Sequence, residues 1–226
     1  MQVELLYHTP DPERAVATAA RLCYAPVGAA ELMESLSEEQ IRKVLSIILA
    51  GGHLSTLEHA SYTFAIDGVS RALTHQLVRH RLASFNQQSQ RYVAYADGLD
   101  CIKPDTIAEN EEANRLFDEM IEHTVEAYKA FLELGIPAED ARYILPNAAE
   151  TKIVVTMNIR ELLHFFTLRC CNRAQWEIRD LAWKMLELVR PTAPYIFADA
   201  GPTCVRSACH EGKMSCGKPY ERVVRE

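Results

Sequence analysis

The stretch Ser61–Tyr92, "SYTFAIDGVSRALTHQLVRHRLASFNQQSQRY", decides how the fold is read. Tyr62, Phe64 and Ile66 alternate with smaller or polar residues, the period of a half-buried strand. Ser70 then opens a helical pattern as its N-cap, with Val69, Leu73, Leu77 and His80 on one stripe. The spacing predicts a strand over "SYTFAIDGV" and a helix from Ser70 to about Arg81. Beyond them lies a segment rich in uncharged hydrogen-bonding side chains, Ser84, Asn86, Gln87, Gln88, Ser89 and Gln90, read here as a loop.

The same stretch carries a charge anomaly. From Gly68 to Ala96 there is no Asp or Glu, yet the window holds Arg71, His75, Arg79, His80, Arg81 and Arg91 in a chain of net charge −7. Helix faces usually mix signs to gain i,i+4 support. Part of the pattern has a structural explanation. Arg81 near a helix C-terminus is favoured by ~0.3–1 kcal/mol, and His80 on an apolar stripe suits a packed, hydrogen-bonded core histidine. Neither argument covers Arg91. A polar loop followed by arginine suits the wrapping of a phosphate and a polar ring, so an anion site and a structural patch both stand at this point.

Working outward, "QVELLYHT" reads as a first strand, ended by Pro10, and Asp11 to Cys23 as a helix. A second helix begins at the Ser37 cap, with Gln40 three residues on and Glu38 and Glu39 in its first turn, and stops at Gly51–Gly52. A long helix is expected over Ala108–Leu134, a strand over "TKIVVTMNI", and helices over Arg160–Cys170 and Ala174–Val189. From Asp199 the chain is rich in Gly, Pro and Cys without periodicity. Helices dominate without regular βαβ alternation, which predicts an α+β fold: a helix-rich single domain around a small mixed or antiparallel sheet. Residues 1–199 are expected to form the catalytic domain and 200–226 an irregular tail.

Composition narrows the function classes. Hydrophobic residues at 48% and charged residues at 24% are ordinary globular values. No apolar run reaches the ~18–20 residues that span a bilayer, and the N-terminus lacks a secretory pattern. Seven scattered cysteines argue against a disulfide framework and for a reducing cytoplasm. Global acidity disfavours a nucleic-acid-coating role while leaving room for a local phosphate pocket.

In "IRELLHFFTLRCC", Leu162, Phe165 and Phe166 form an apolar stripe that also holds Arg169. An arginine pointing inward stays protonated and needs an acceptor. Glu177 is one candidate; a bound anion, or a ring developing negative charge, is another. Arg160, His164 and Thr167 line a second, polar face. "GGHLSTLEH" offers His53, Ser55, Glu58 and His59 in a turn, better suited to a polar loop at a ligand mouth than to a metal set. Cys204, Cys209 and Cys216 miss the CxxC spacing of strong zinc motifs, so no metal is expected. There is no GxGxxG, GxxxxGK[ST] or GxSxG. Any nucleotide cofactor is therefore held by something other than a glycine-rich loop.

At "RHRLASFNQQSQRY" the chain resembles the flavin-dependent thymidylate synthases, whose signature is Arg-His-Arg, seven residues, then Ser and closely Arg. Here these are Arg79, His80 and Arg81, then Ser89 and Arg91. "GGHLSTLEHASYTF", "ARYILP", "TMNIRELLHFFTLR" and "AQWEIR" resemble further family blocks in the same order, so the likeness runs from Val3 to Phe197. The resemblance implies a methyltransferase that makes dTMP from dUMP. Methylenetetrahydrofolate supplies the carbon and FAD reduced by NADPH the hydride, with no covalent enzyme nucleophile. It further implies a cytoplasmic homotetramer with active sites at subunit interfaces, and neither a nucleic-acid nor a membrane partner. By position, His53, Ser55, Arg79, His80, Arg81, Gln87, Asn158, Arg160 and His164 match the flavin site. Gln76, Arg79, Gln87, Gln88, Ser89, Gln90, Arg91, Arg142 and Arg169 match the dUMP site, with Arg169 stabilising the ionised uracil as the catalytic residue. Some members have an acidic residue where Gln87 stands and an Asn where His164 stands.

Overall fold

A computed structural model describes residues 1–95 and 98–223. Ala96, the last position of the acid-free window, and residues 224–226 of the tail lie outside them. The strands are β1 (Gln2–His8), β2 (Ser61–Ser70), β3 (Ala83–Gln87) and β4 (Glu150–Asn158), in the sheet order β1-β2-β4-β3. The register is antiparallel where it can be followed. Thr9 N–H donates to the Ser61 carbonyl at 3.0 Å, and the facing hydroxyls of Thr63 and Thr156 meet at 2.8 Å. Thr151, Ile153, Val155 and Met157 are buried at every second position of β4. The expected α+β class with a small antiparallel sheet is borne out.

By internal contacts the chain forms two compact units, each built from separated segments. The first comprises Met1–Gln2, Ile66–Arg79 and Asn86–Val154. It contains α4 (Arg71–Leu77), α5 (Asp105–Ala108), α6 (Glu111–Glu133) and α7 (Ala138–Ala141). Leu73, Leu77, Tyr128 and Ile153 are among its buried core residues. The second comprises Val3–Ala65, His80–Phe85 and Val155–Glu226. It contains α1 (Pro12–Leu22), α2 (Ala29–Ser35), α3 (Glu38–Gly51), α8 (Ile159–Arg169) and α9 (Trp176–Val189). Its core is aromatic: Tyr62 stacks on His8 at 5.3 Å and meets Phe197 at 5.8 Å, and Phe197 leads to Phe166 and Phe166 to Phe165.

Helix boundaries follow local chemistry. Ser37 and Gln40 form the anticipated capping box on α3, and Gly52, at φ 69°, ends that helix in the left-handed conformation. Ser70 caps α4 as expected, but the helix stops at Leu77 rather than Arg81. The residues after it form β3, an edge strand, where the sequence suggested a loop. Its alternation is short and only half-buried, Ala83 and Phe85 against exposed Ser84 and Asn86, as suits an edge strand. The helix expected over Ala108–Leu134 is α6, which starts three residues later, after the short α5 has ended at Ala108. Asn110 accepts from Ala113 N–H at 3.0 Å and caps α6, so the chain restarts there. Among the described residues no helix is long and apolar enough to cross a membrane.

Replacing Ser37 with Ala removes one of the two reciprocal bonds at the start of α3. It should lower the unfolding free energy by about 1 kcal/mol, read as a drop in urea midpoint with an unchanged slope.

Candidate active site

α8 organises the site in the second unit. Asn158, just before it, accepts from Glu161 N–H at 2.9 Å and caps the helix. Leu162, Phe165 and Phe166 are fully buried, as the apolar stripe requires. On that side His80, only 4% exposed, sits edge-on to Phe165 with ring centroids 4.9 Å apart. Its Nδ1 lies 2.9 Å from Oε1 of Glu161, itself 4% exposed, and its Nε2 accepts from Arg169 Nε at 3.1 Å.

That arrangement fixes a tautomer. Arginine can only donate, so Nε2 is the acceptor and the ring proton sits on Nδ1, donated to the Glu161 carboxylate. Burial pushes the His80 pKa below its ordinary value, opposed by the bond to Glu161 and helped by the neighbouring Arg169 charge. Burial likewise lowers the Arg169 pKa, from so high a value that the guanidinium stays charged. The result is a carboxylate, a neutral imidazole and a guanidinium in series. The core-histidine reading of His80 therefore holds as to burial, and one acceptor for the inward Arg169 is His80.

The opposite, polar face of α8 lines a cavity of about 1030 Å³. Arg160, His164 and Thr167 face it from the helix, and Leu49, Ala50, Leu54 and Leu82 supply an apolar wall. Arg160 is paired with Glu58 at 2.5 Å, which ties the polar turn at Leu54–His59 to the helix. His53 precedes that turn with its ring folded over Gly51, where a Cβ would come within 2.9 Å of it. Ser55 and Arg81 are exposed. Asp199 and Arg206 close the cavity from beyond the helices, and neither was singled out from the sequence. A helical face of Arg, His and Thr at i, i+4 and i+7 was the one available signal for this cavity.

The remaining predicted residues lie in the first unit: Gln76, Arg79, Gln87–Arg91 and Arg142. Gln87 Nε2 donates to the hydroxyls of Thr74 and Thr151 at 3.0 and 3.3 Å, and Gln88 N–H to the Lys152 carbonyl. Ser89 Oγ accepts from Arg91 N–H at 3.3 Å. Arg91 pairs with Glu139 at 2.8 Å, and Arg142 donates to the Glu139 carbonyl. Gln90 is 7% exposed and its Nε2 has no partner among the described residues. Arg79 is exposed. The matching residues thus sort by unit. Apart from Arg169 the dUMP set falls in the first, and apart from Arg79 and Gln87 the flavin set falls in the second.

The thiols show no sign of nucleophilic activation near this site. All seven cysteines are free, and burial pushes Cys170, next to Arg169, up to about 12. Cys171, Cys204, Cys209 and Cys216 border one small cavity of about 20 Å³, but no group of three or more His, Cys, Asp or Glu among the described residues is placed to hold a metal ion.

The family model described as "thymidylate synthase complementing protein" matches residues 4–195. The chain is 57% identical to the flavin-dependent thymidylate synthase of Geobacter sulfurreducens, over 100% of this chain and 99% of that protein. It is 48% identical to that of Clostridium tetani, over 98% and 95%. Among solved structures it resembles the UMP/dUMP methylase PolB of Streptomyces cacaoi bound with 5-Br dUMP, with a TM-score of 0.72, 27% identity, and coverage of 87% of this chain and 93% of that one. These likenesses define a class of nucleotide-modifying enzymes. The chain belongs to the flavin-dependent thymidylate synthase family, and the resemblance read from the ordered sequence blocks is borne out.

The protonation of His80 has a measurable consequence. Because its folded pKa is depressed, its neutral form favours folding above the ordinary imidazole value of 6.5. That contribution is lost as pH falls below it, since the unfolded chain takes up a proton the folded one resists. His80→Gln should cost about 1–3 kcal/mol near pH 7 by leaving a buried partner unpaired. The gap to wild type should narrow as the pH is lowered from about 7.5 to about 5; parallel urea titrations across that range measure it.

Proposed function

We propose that this chain converts dUMP to dTMP by reductive methylation. Methylenetetrahydrofolate gives the carbon and NADPH is the reductant, in a cytoplasmic homotetramer with sites at subunit interfaces. The observation that carries the reading is the cavity on the polar face of α8. At about 1030 Å³ it is at the top of the range for small-molecule sites and suits a dinucleotide cofactor. Its apolar wall of Leu49, Ala50, Leu54 and Leu82 suits a flat ring system, and Arg160 and His164 offer hydrogen bonds at its edge. These residues fit FAD. When bound, FAD supplies the hydride chemistry of the reaction.

The chain's own residues bind, orient and stabilise charge. Gln90, buried with an amide nitrogen that has no partner among the described residues, suits a loop whose polar groups are completed by dUMP. In this reading Gln76, Arg79, Ser89, Arg91 and Arg142 hold the nucleotide. Ser89 serves as a hydrogen-bonding group rather than a nucleophile, since Arg91 N–H bonds to its oxygen and no base is bonded to it among the described residues. Arg169 is the catalytic residue, a fixed cation for the ionised uracil. His80 is a positioning residue: by accepting at Nε2 it directs the guanidinium, and Glu161 holds the imidazole in the tautomer that can accept. No cysteine lines the cavity among the described residues, in keeping with chemistry that needs no covalent enzyme nucleophile.

The test is the absorbance spectrum of protein incubated with FAD and desalted, followed by dUMP-dependent oxidation of NADPH in the presence of methylenetetrahydrofolate. Bound oxidised flavin and turnover are expected, and absence of both would overturn the proposal. Arg169→Ala should keep FAD while turnover falls by about 10²–10³, the loss typical of removing one transition-state donor.

A further inference from the structure

We infer that Arg206, in the segment after the family-matched region, anchors a phosphate of the cofactor in this cavity. The inference rests on the reading of the cavity as a flavin site. Two fixed cations line the cavity, Arg160 and Arg206, and their surroundings differ. The Arg160 charge is met by Glu58 at 2.5 Å. Among the described residues the Arg206 guanidinium bonds to uncharged oxygens, the Asp199 carbonyl from Nη1 and the Thr167 hydroxyl from Nη2, each at 3.0 Å. No carboxylate lies within ion-pair distance of it among the described residues. Asp199 and Glu161 also line the cavity, but neither is paired with Arg206, and a cavity-lining cation with no carboxylate paired to it among the described residues can receive an anion.

The guanidinium is held in place rather than loosely tethered. The preceding residues Ala200, Gly201, Pro202 and Val205 are buried, and Thr203–Val205 form a 3₁₀ turn. Gly201 adopts φ 141°, a conformation that side-chain-bearing residues rarely take, and a Cβ placed there would meet the Val205 and Trp183 side chains at 3.4 and 3.7 Å. Val223 N–H bonds to the Val205 carbonyl at 3.0 Å. Further along, Asn172 donates to the Lys218 carbonyl at 3.1 Å and accepts from the Tyr220 hydroxyl at 2.7 Å. Two of the five guanidinium N–H groups are spent on fixing the fork against α8, and the others remain for a ligand. Arg206 is itself exposed at the rim of the cavity, and a planar fork there suits phosphate oxygens; of the proposed cofactor only the diphosphate carries charge of that kind.

The experiment titrates wild type, Arg206→Ala and Arg206→Lys with FAD and with riboflavin, which has the ring but no phosphate, by flavin fluorescence; thermal melts check folding. Arg206→Ala should weaken FAD by about 10- to 100-fold and leave riboflavin within about twofold, with Arg206→Lys recovering part of the loss. Equal weakening of FAD and riboflavin would mean that Arg206 only builds the wall and would overturn the anchor. FAD binding unchanged in Arg206→Ala overturns it as well. Failure of the wild type to bind FAD strikes instead at the flavin-site reading, and so is distinguishable from failure of the anchor.

Discussion

The buried series Glu161–His80–Arg169 is the constraint around which the second unit is arranged. A carboxylate removed from water costs several kcal/mol unless its charge and lone pairs are met. Glu161 is met through an imidazole that itself accepts from a guanidinium. Both charged partners come from α8, one in its first turn and one in its last, about 12 Å apart along the axis. Their signs also match the helix dipole, acid near the N-terminus and base near the C-terminus. His80 lies between them over Phe165, at the end of the aromatic row that runs from His8 through Tyr62, Phe197 and Phe166. The position of the imidazole is therefore set by core packing, and the position of the arginine is set by the imidazole.

α8 divides its labour by face. Leu162, Phe165 and Phe166 close the core, while Arg160, His164 and Thr167 are left on the cavity side. Thr167 has a double role: its hydroxyl donates to the Leu163 carbonyl one turn back and accepts from Arg206. The C-terminal segment is thereby coupled to the same helix that carries the carboxylate–imidazole–guanidinium series. A ligand in the cavity would touch a wall whose parts are rigid for separate reasons: helix packing on one side and a buried, glycine-dependent turn on the other.

What was legible in the sequence followed from periodicity and caps. The strand around Tyr62, Phe64 and Ile66, the Ser37 capping box and the apolar stripe of α8 are local signals, and the structure carries each of them. β3 was hidden because "ASFNQ" carries only two apolar residues in an otherwise polar segment, and its pairing with β4 is a long-range fact. The break before α6 was hidden because Asn110 sits in a segment otherwise favourable to helix. Arg206 was hidden because nothing in a Gly- and Cys-rich tail marks which cation will border the cavity. The cavity was half legible: the polar face at Arg160, His164 and Thr167 was visible as a pattern, but a polar face facing solvent looks the same.

The acid-free window from Gly68 to Ala96 shows how far sequence distance can mislead about charge. Its basic residues are not all unpartnered in space, since Glu161 reaches His80 and Glu139 reaches Arg91 from far along the chain. Yet these two pairs differ in what they leave behind. The Arg91–Glu139 pair is half-exposed, with side chains about 50% accessible, and an exposed pair of that kind contributes about 0–1 kcal/mol. An incoming phosphate can therefore compete for Arg91 at small cost. The Glu161 pair is buried on both sides and would be costly to break. Arg79 and Arg81, exposed and without a carboxylate within ion-pair distance among the described residues, complete the gradation. The window is thus a set of basic residues held with different firmness, in which the interior, neutral His80 orients Arg169 and the exposed arginines stay exchangeable for an anion.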